Sequence, residues 1–340
     1  ETVEPGANAL FTQYEYETSG YGRITKKTVS GANIATRSSS ITYDVNNPYL
    51  STSRNALNQT TITKLSPKWG TILSKTNANG LTVYNTYDDF GRKASEILPD
   101  GSKVVYSYDW CSSSSCPAGA VYSHTATTTD GLSENYSKTF FDALQRKVAV
   151  STLGFDGEEI RVDYLYDELG RQYKTSLPYF VGTGSAVYKE NTGYDLLNRV
   201  TEVTHPNSST SSIAYDGLET TYTNAKNQQK VMLKNALGET ILSTDDDYKQ
   251  LSLTYDALGN LISTRDEAGN SVIMNYDIRG NKTSMNDPDK GQWQYEYNVL
   301  GQLVLQTDAK NQSTCMVYDV LGRMTKRIDQ YLAGNSNHSS

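Results

Sequence analysis

The sequence is poor in the residues that most chemistry requires. Its 340 residues hold three His, three Cys and three Trp. Catalysis needs a nucleophile with a base, or paired acids. His124 and His205 sit beside turn-like segments and His338 lies in a polar tail, which points to surface roles; no enzymatic activity is expected. No Cys/His spacing fits a zinc ligand set. Asp245-Asp246-Asp247 lacks the alternating acids and downstream Glu of a calcium loop. Gly182-Thr183-Gly184-Ser185 lacks the Lys and following helix of a phosphate loop. No cofactor or metal is expected. No apolar run approaches the ~18 residues of a membrane-spanning helix. There is no Lys/Arg cluster and the net charge is −7, which argues against nucleic acid or an anionic membrane as partner. The chain opens at Glu1 without Met and without a basic, apolar leader, as in a mature product or an excised fragment.

Aliphatic and Phe residues are scarce too. Leu, Ile, Val and Phe number 67, about a fifth of the chain, near the level at which highly charged chains become disordered. The charge here is small for the length, and 26 Tyr stand against six Phe. Tyr buries a large ring while its hydroxyl stays hydrated or bonded. That composition suits sheets with wet or half-buried faces more than a thick apolar core. Cys111 and Cys116 bracket four serines. Their spacing is compatible with a small disulfide loop or with two free thiols.

What the sequence does hold is a repeat. Tyr255-Asp256-Ala257-Leu258-Gly259 recurs as Tyr276-Asp277-Ile278-Arg279-Gly280, Tyr297-Asn298-Val299-Leu300-Gly301 and Tyr318-Asp319-Val320-Leu321-Gly322-Arg323. Lys234-Asn235-Ala236-Leu237-Gly238 precedes them. The starts step by 21 residues without slippage, and an Asp follows each start by eleven: Asp245, Asp266, Asp287, Asp308 and Asp329. Looser copies lie upstream at Tyr87-Asp88-Asp89-Phe90-Gly91-Arg92, Tyr166-Asp167-Glu168-Leu169-Gly170-Arg171 and Tyr194-Asp195-Leu196-Leu197-Asn198-Arg199, with a variant at Phe141–Arg146. Two insertions break the spacing, at Cys111–Cys116 and at Pro178–Val187.

Each repeat reads as two strands and two turns. Leu251, Leu253 and Tyr255 alternate with Ser252 and Thr254, the period of a half-buried strand. Asp256–Gly259 is a turn: Asp can accept from the backbone ahead of it, and Gly tolerates positive φ. A second strand reaches Arg265, Asp266–Gly269 turns again, and Val272, Met274 and Tyr276 return. Successive units should pair antiparallel. Leu253, Met274, Tyr295 and Met316 share the face of the repeat Tyr, so stacked units would form side-chain ladders, with Tyr255, Tyr276, Tyr297 and Tyr318 as one series. The face with Ser252, Thr254, Asn275, Gln294 and Glu296 is solvated. No window holds a 3.6-residue period over three turns. The fold class is all-β: a long antiparallel strip of hairpins, with irregular hairpins over 1–80, repeats over 81–330 (strict over 234–330) and a polar tail at 331–340. Such a strip has open edges that invite aggregation, so it must curl, close or be capped.

The Tyr-Asp-x-x-Gly-Arg copies at 87, 166 and 318, with the 21-residue period, resemble the RHS or YD-repeat family over residues 40–330. The resemblance implies structural roles for Tyr87, Asp88, Gly91, Arg92, Tyr166, Asp167, Gly170, Arg171, Tyr255, Asp256, Gly259, Tyr276, Asp277, Gly280, Tyr297, Gly301, Tyr318, Asp319, Gly322 and Arg323. It implies a sheet that spirals into a hollow shell, as in the B and C components of Tc toxins, polymorphic toxins and teneurins. The expected function is a shell-wall segment of a secreted or cell-surface bacterial toxin. Its partners would be the rest of the same shell and an enclosed C-terminal toxic polypeptide. Family toxins self-cleave at an Asp-Pro-x-Gly core; the nearest string here, Asp287-Pro288-Asp289-Lys290-Gly291, falls at an ordinary repeat turn. The alternative is a binding module in which Trp69, Trp110 and Trp293 contact a carbohydrate or cell-surface glycan. Packing is the plainer role for a Trp within a repeat strand.

Overall fold

The computed structural model describes residues 2–3, 9–18, 20–111, 116–129 and 134–330, with backbone alone at 2–3. The serine run at 112–115 and the tail with His338 fall outside these. Every described element is a β-strand, and the strand pairings among the described residues are antiparallel.

The chain divides into two compact units. One comprises Ile62–Asp216 and Thr220–Gln229. Its hairpins run from Ile72–Thr76 and Thr82–Tyr87 through Lys103–Trp110, Tyr122–Thr129 and Glu134–Phe141 to Val200–Thr204. Most strands pair with the next. At the Pro178–Val187 insertion the order changes. Tyr179–Phe180 folds back onto Glu159–Tyr166, while Gln172–Ser176 pairs with Tyr188–Tyr194. A polar knot holds the fold-back: the Arg161 Nε donates to the Tyr179 hydroxyl at 2.8 Å, which donates to Asp163 Oδ2 at 2.6 Å.

This unit contains a small apolar centre. Phe140 is 2% exposed and packs with Val148 and Ala149, flanked by Ala120, Tyr166 and the cysteines 111 and 116. Those two cysteines are joined as a disulfide with Cα atoms 5.9 Å apart. Both cysteines pack against the apolar cluster.

The other unit comprises Glu1–Thr61, Gly217–Glu219 and Lys230–Ser340. It joins the N-terminal strands Leu10–Tyr16, Ile24–Gly31, Arg37–Tyr43 and Leu50–Arg54 to the strict repeats, from Thr240–Thr244 to Met324–Asp329. The link is the turn between Ile24–Gly31 and Arg37–Tyr43. Arg37 Nη2 donates to Gln302 Oε1 at 3.2 Å and to the Asp319 carbonyl at 3.4 Å. A Cβ on Gly31 would stand 2.9 Å from Val299 Cγ2, so only glycine permits this approach. Val299 and Met316 are buried beneath.

The expected face alternation holds in part: Leu253 and Tyr255 are half-buried, but Leu251, expected on the same face, is 41% exposed. Gly291–Tyr297 alternates half-buried and exposed residue by residue, with Trp293, Tyr295 and Tyr297 inward. Ser252, Thr254, Asn275, Gln294 and Glu296 are exposed. Buried apolar residues are few and scattered: Ala9, Phe140, Val148, Ala149, Val203, Val299 and Met316 among those described. One-layer hairpins of this kind bury half of each side chain and seldom a whole one.

Candidate functional site, a joint between hairpins

The repeat residues meet where one hairpin joins the next. The local turn is dictated by Asp256 to Asn260. Asp256 N donates to the Asn260 carbonyl at 2.9 Å and Gly259 N donates to the Asp256 carbonyl at 3.1 Å. Gly259 sits at φ 84°. This is a tight turn closed by a left-handed residue, with a one-residue register shift between Thr254 and Tyr255. The same shift adjoins Tyr87, Tyr166, Tyr276, Tyr297 and Tyr318. Where the copies lack Gly, Gln145 and Asn198 take φ 63° and 61° instead.

The Asp side chain closes the turn from inside. Asp256 Oδ1 accepts from the backbone N of Leu258 and Asn260, each at 2.9 Å, and Oδ2 accepts from Asn260 Nδ2 at 2.9 Å. In the Arg copies the guanidinium takes the amide's place: Arg92 Nε to Asp88, Arg146 to Asp142, Arg171 to Asp167 and Arg323 to Asp319, all at 2.7–2.8 Å. The Asn260 amide and backbone hold Asp256 below the ordinary carboxylate range. At Asp319 desolvation raises the pKa, but the Arg323 backbone NH and guanidinium outweigh it and the net direction is down. The second-turn Asp266 is lowered in the same way by Asn270. Asp287 likewise caps a turn, accepting from Asp289 N and Lys290 N.

The Tyr reaches across to the preceding hairpin. Strand Thr240–Thr244 pairs with Gln250–Tyr255 only over Leu242↔Ser252, Ser243↔Leu251 and Thr244↔Gln250. Beyond Leu242 the strands separate, and the Thr240 carbonyl would lack a donor. The Tyr255 hydroxyl donates to it at 3.0 Å. Tyr276 does the same for Leu261, Tyr318 for Leu303 and Tyr87 for Ile72, at 2.8–3.0 Å. An unpaired carbonyl partly removed from water is costly, and the Tyr hydroxyl supplies a donor; the Ile72 carbonyl also accepts from Asn85 Nδ2 at 3.0 Å.

In the Arg copies the same guanidinium that binds its own Asp also lies over the next Tyr. Arg92 Cζ is 4.2 Å from the Tyr108 ring centre, Arg146 4.5 Å from Tyr166, Arg171 4.0 Å from Tyr194 and Arg199 3.9 Å from Tyr215. Each of these four joints is thus a chain from Asp through Arg to the next Tyr. Desolvation pushes the Tyr108 and Tyr166 phenols up, against the pull of Arg92 and Arg146. Both stay protonated donors at neutral pH. These contacts lie in the upstream copies; the series Tyr255, Tyr276, Tyr297 and Tyr318 has Asn or Gln at the positions between them in place of Arg. Sequence reasoning missed the cross-repeat role of Arg and of the Tyr hydroxyl. The signal was the polar side chain always present at that position, from Arg92 and Arg146 to Glu239, Asn260, Asn281, Gln302 and Arg323.

Tyr276→Phe should lower the unfolding free energy by about 1 kcal/mol, because the Leu261 carbonyl loses its donor. Tyr84→Phe, on the exposed face at 55% exposure, should change it by less than about 0.5 kcal/mol. Urea unfolding of both checks this; equal losses would mean that the joint hydroxyl contributes nothing.

The other candidates are not brought together. The Trp69 ring packs on Gly91, 3.0 Å from where a Cβ would be. Trp293 stacks on Tyr295 at 6.4 Å and donates to the Lys290 carbonyl at 3.3 Å. Trp110 is 78% exposed and meets only the edge of Tyr122, at 6.3 Å. His124 is not beside a turn: it lies mid-strand, stacked against Tyr106 and Tyr108. His205 Nε2 bonds Ser211 Oγ at 3.0 Å. No cluster of three or more His, Cys, Asp or Glu residues suited to a metal occurs among the described residues.

Comparison with known proteins follows the same lines. The RHS Repeat family model matches residues 255–292, the span of two successive joints. No curated protein matches the chain. Among solved structures, TcdB2–TccC3 superposes over 94% of this chain and 20% of its own, with 16% identity and a TM-score of 0.75. TcdB2–TccC3 without its hypervariable C-terminal region and a mutant Tc holotoxin pore of Photorhabdus luminescens each match at 14% identity and the same TM-score, over 22% of their chains. The chain spans about a fifth of the length of these structures. Residues 255–292 match the RHS repeat, and the all-β architecture around them is the one found in the Tc toxin proteins TcdB2–TccC3.

Proposed function

We propose that the chain is a wall segment of a longer, secreted RHS shell that encloses a polypeptide carried on the same or an associated chain. The observation that carries this is the joint. Each hairpin is pinned to the next by Tyr, Asp and Arg or Asn, which suits a thin, continuous strip of hairpins. The fold match over 94% of the chain supports the same reading, as does the scarcity of buried apolar residues. No helix of the described residues is long and apolar enough to cross a membrane. A catalytic role is not part of the proposal.

A glycan-binding role draws support from Trp110 alone, the most exposed of the three tryptophans. Trp69 and Trp293 are engaged in packing, so the wall reading leads.

Protease protection tests it. In the uninterrupted gene product, the polypeptide encoded with these repeats should resist digestion in native buffer and be cut rapidly once urea unfolds the sheet. Equal digestion rates in both conditions would remove the enclosure from the proposal.

A further inference from the structure

In the four Arg joints, the carbonyl that receives the Tyr hydroxyl belongs to the residue just after the Arg. Tyr108 reaches Lys93 after Arg92, Tyr166 reaches Lys147 after Arg146, Tyr194 reaches Gln172 after Arg171, and Tyr215 reaches Val200 after Arg199. Each guanidinium lies over the ring of the same Tyr. Tyr87 reaches Ile72 in this way, but the residue before Ile72 is Thr71. Thr71 is the structural counterpart of Arg92, although its turn is one residue longer. It follows a glycine of positive φ, Gly70, and its carbonyl accepts from Ser66 N as the Arg92 carbonyl accepts from Asp88 N. Its short side chain has no cationic group to lay over the Tyr87 ring.

A cavity of about 520 Å³ opens at this joint, with Thr71, Asn85, Tyr87, Lys75, Lys93 and Glu96 in its lining. Thr71 Oγ1 and Asn85 Oδ1 are buried without a hydrogen-bond partner among the described residues, which is costly. The Asn85 amide is fixed in orientation, because its Nδ2 donates to the Ile72 carbonyl at 3.0 Å. The joint at Tyr194 is the internal control. Asn191 Nδ2 and the Tyr194 hydroxyl converge on the Gln172 carbonyl in the same way, Arg171 lies over the ring, and Asn191 Oδ1 is not left buried and unpartnered.

We propose that this cavity seats a guanidinium group from outside the joint, an arginine side chain of a partner polypeptide. The seat offers it a Tyr ring face, oxygen acceptors at Thr71 and Asn85, and the Glu96 carboxylate. The turn cap here is Ser66 where the Arg copies have Asp, so Glu96 supplies the negative charge. Lys93 Nζ bonds Glu96 Oε2 at 2.7 Å, and Lys75 is exposed at the rim. Ammonium neighbours do not exclude a guanidinium, since Lys93 and Lys147 directly follow the seated Arg92 and Arg146. The proposal is independent of the wall reading.

N-acetyl-arginine amide titrated into the 340-residue chain tests it, beside N-acetyl-lysine amide for charge and N-acetyl-glutamine amide for a neutral amide. The arginine probe should shift the Asn85 side-chain amide resonance saturably and bind at least about tenfold more tightly than either of the others. Thr71→Arg, which lays the chain's own guanidinium over Tyr87, should raise the urea midpoint and abolish that shift. Equal binding of the lysine or glutamine probe would overturn the guanidinium assignment, as would arginine binding that survives Thr71→Arg. Absence of a saturable shift in the parent overturns it whatever Thr71→Arg does; a raised midpoint would then mark the cavity as a packing gap.

Discussion

Phe140→Ala is expected to lower the unfolding free energy by about 3–5 kcal/mol, the usual cost of emptying a buried aromatic site. The size follows from where the ring sits. It is 2% exposed between Val148, Ala149, Tyr166 and the Cys111–Cys116 linkage, and its strand partner Ala149 is fully buried. A one-layer sheet has few such places, so neighbouring side chains cannot collapse into the void from a second layer. Leu144→Ala, four residues on at a turn tip and 72% exposed, should stay within about 0.5 kcal/mol of the parent. Hydrogen exchange should show the loss first in Glu134–Phe141 and Lys147–Leu153, since repeat sheets open locally. If the two alanine variants unfold alike, the cluster is not the anchor that its burial implies.

Acid should unfold the protein through its turns. Nine described aspartates, from Asp88 to Asp319, are held below the ordinary value of 3.8. At Asp256 and Asp266 the leading cause is the Asn amide four residues on. At Asp88 and Asp319 burial opposes ionisation, and the Arg backbone and guanidinium bonds prevail. A carboxylate with a depressed folded pKa stabilises fully above its unfolded pKa, and that contribution is lost as pH falls through the folded one. The urea midpoint should therefore be flat above about pH 5 and fall steeply below about pH 4. Asn235 and Asn298 already cap two turns of the same kind, so D256N, D277N and D319N together should fold. That variant should lose distinctly less on acidification than the parent. An identical acid profile in the two proteins would place the sensitivity elsewhere.

How much of this was legible beforehand differs from element to element. The turn at Asp256–Gly259 and the strand Gln250–Tyr255 were readable, because Asx capping, positive φ and two-residue alternation act over a handful of neighbours. The hydroxyl of Tyr255 on Thr240 was not, because it depends on strands separating two residues beyond their last ladder pair. Nor was the stacking of Arg171 on Tyr194, which joins residues of different repeats. The fold-back of Tyr179–Phe180 onto Glu159–Tyr166 was seen only as an insertion, since two-residue strands carry no period. For the tryptophans packing was the plainer reading beforehand, and Trp69 on Gly91 and Trp293 on Tyr295 do pack.

The sequence by itself determined the local structure: a 21-residue hairpin, all-β, with a polar face, a tyrosine face and too few aliphatic residues for a central core. Those properties follow from alternation and turn chemistry, which are short-range. The tertiary structure decided how hairpins hold one another and where an edge is covered. Those depend on which side chains meet across a gap between strands, or across 265 residues as Arg37 and Gln302 do, and no local pattern specifies such a meeting.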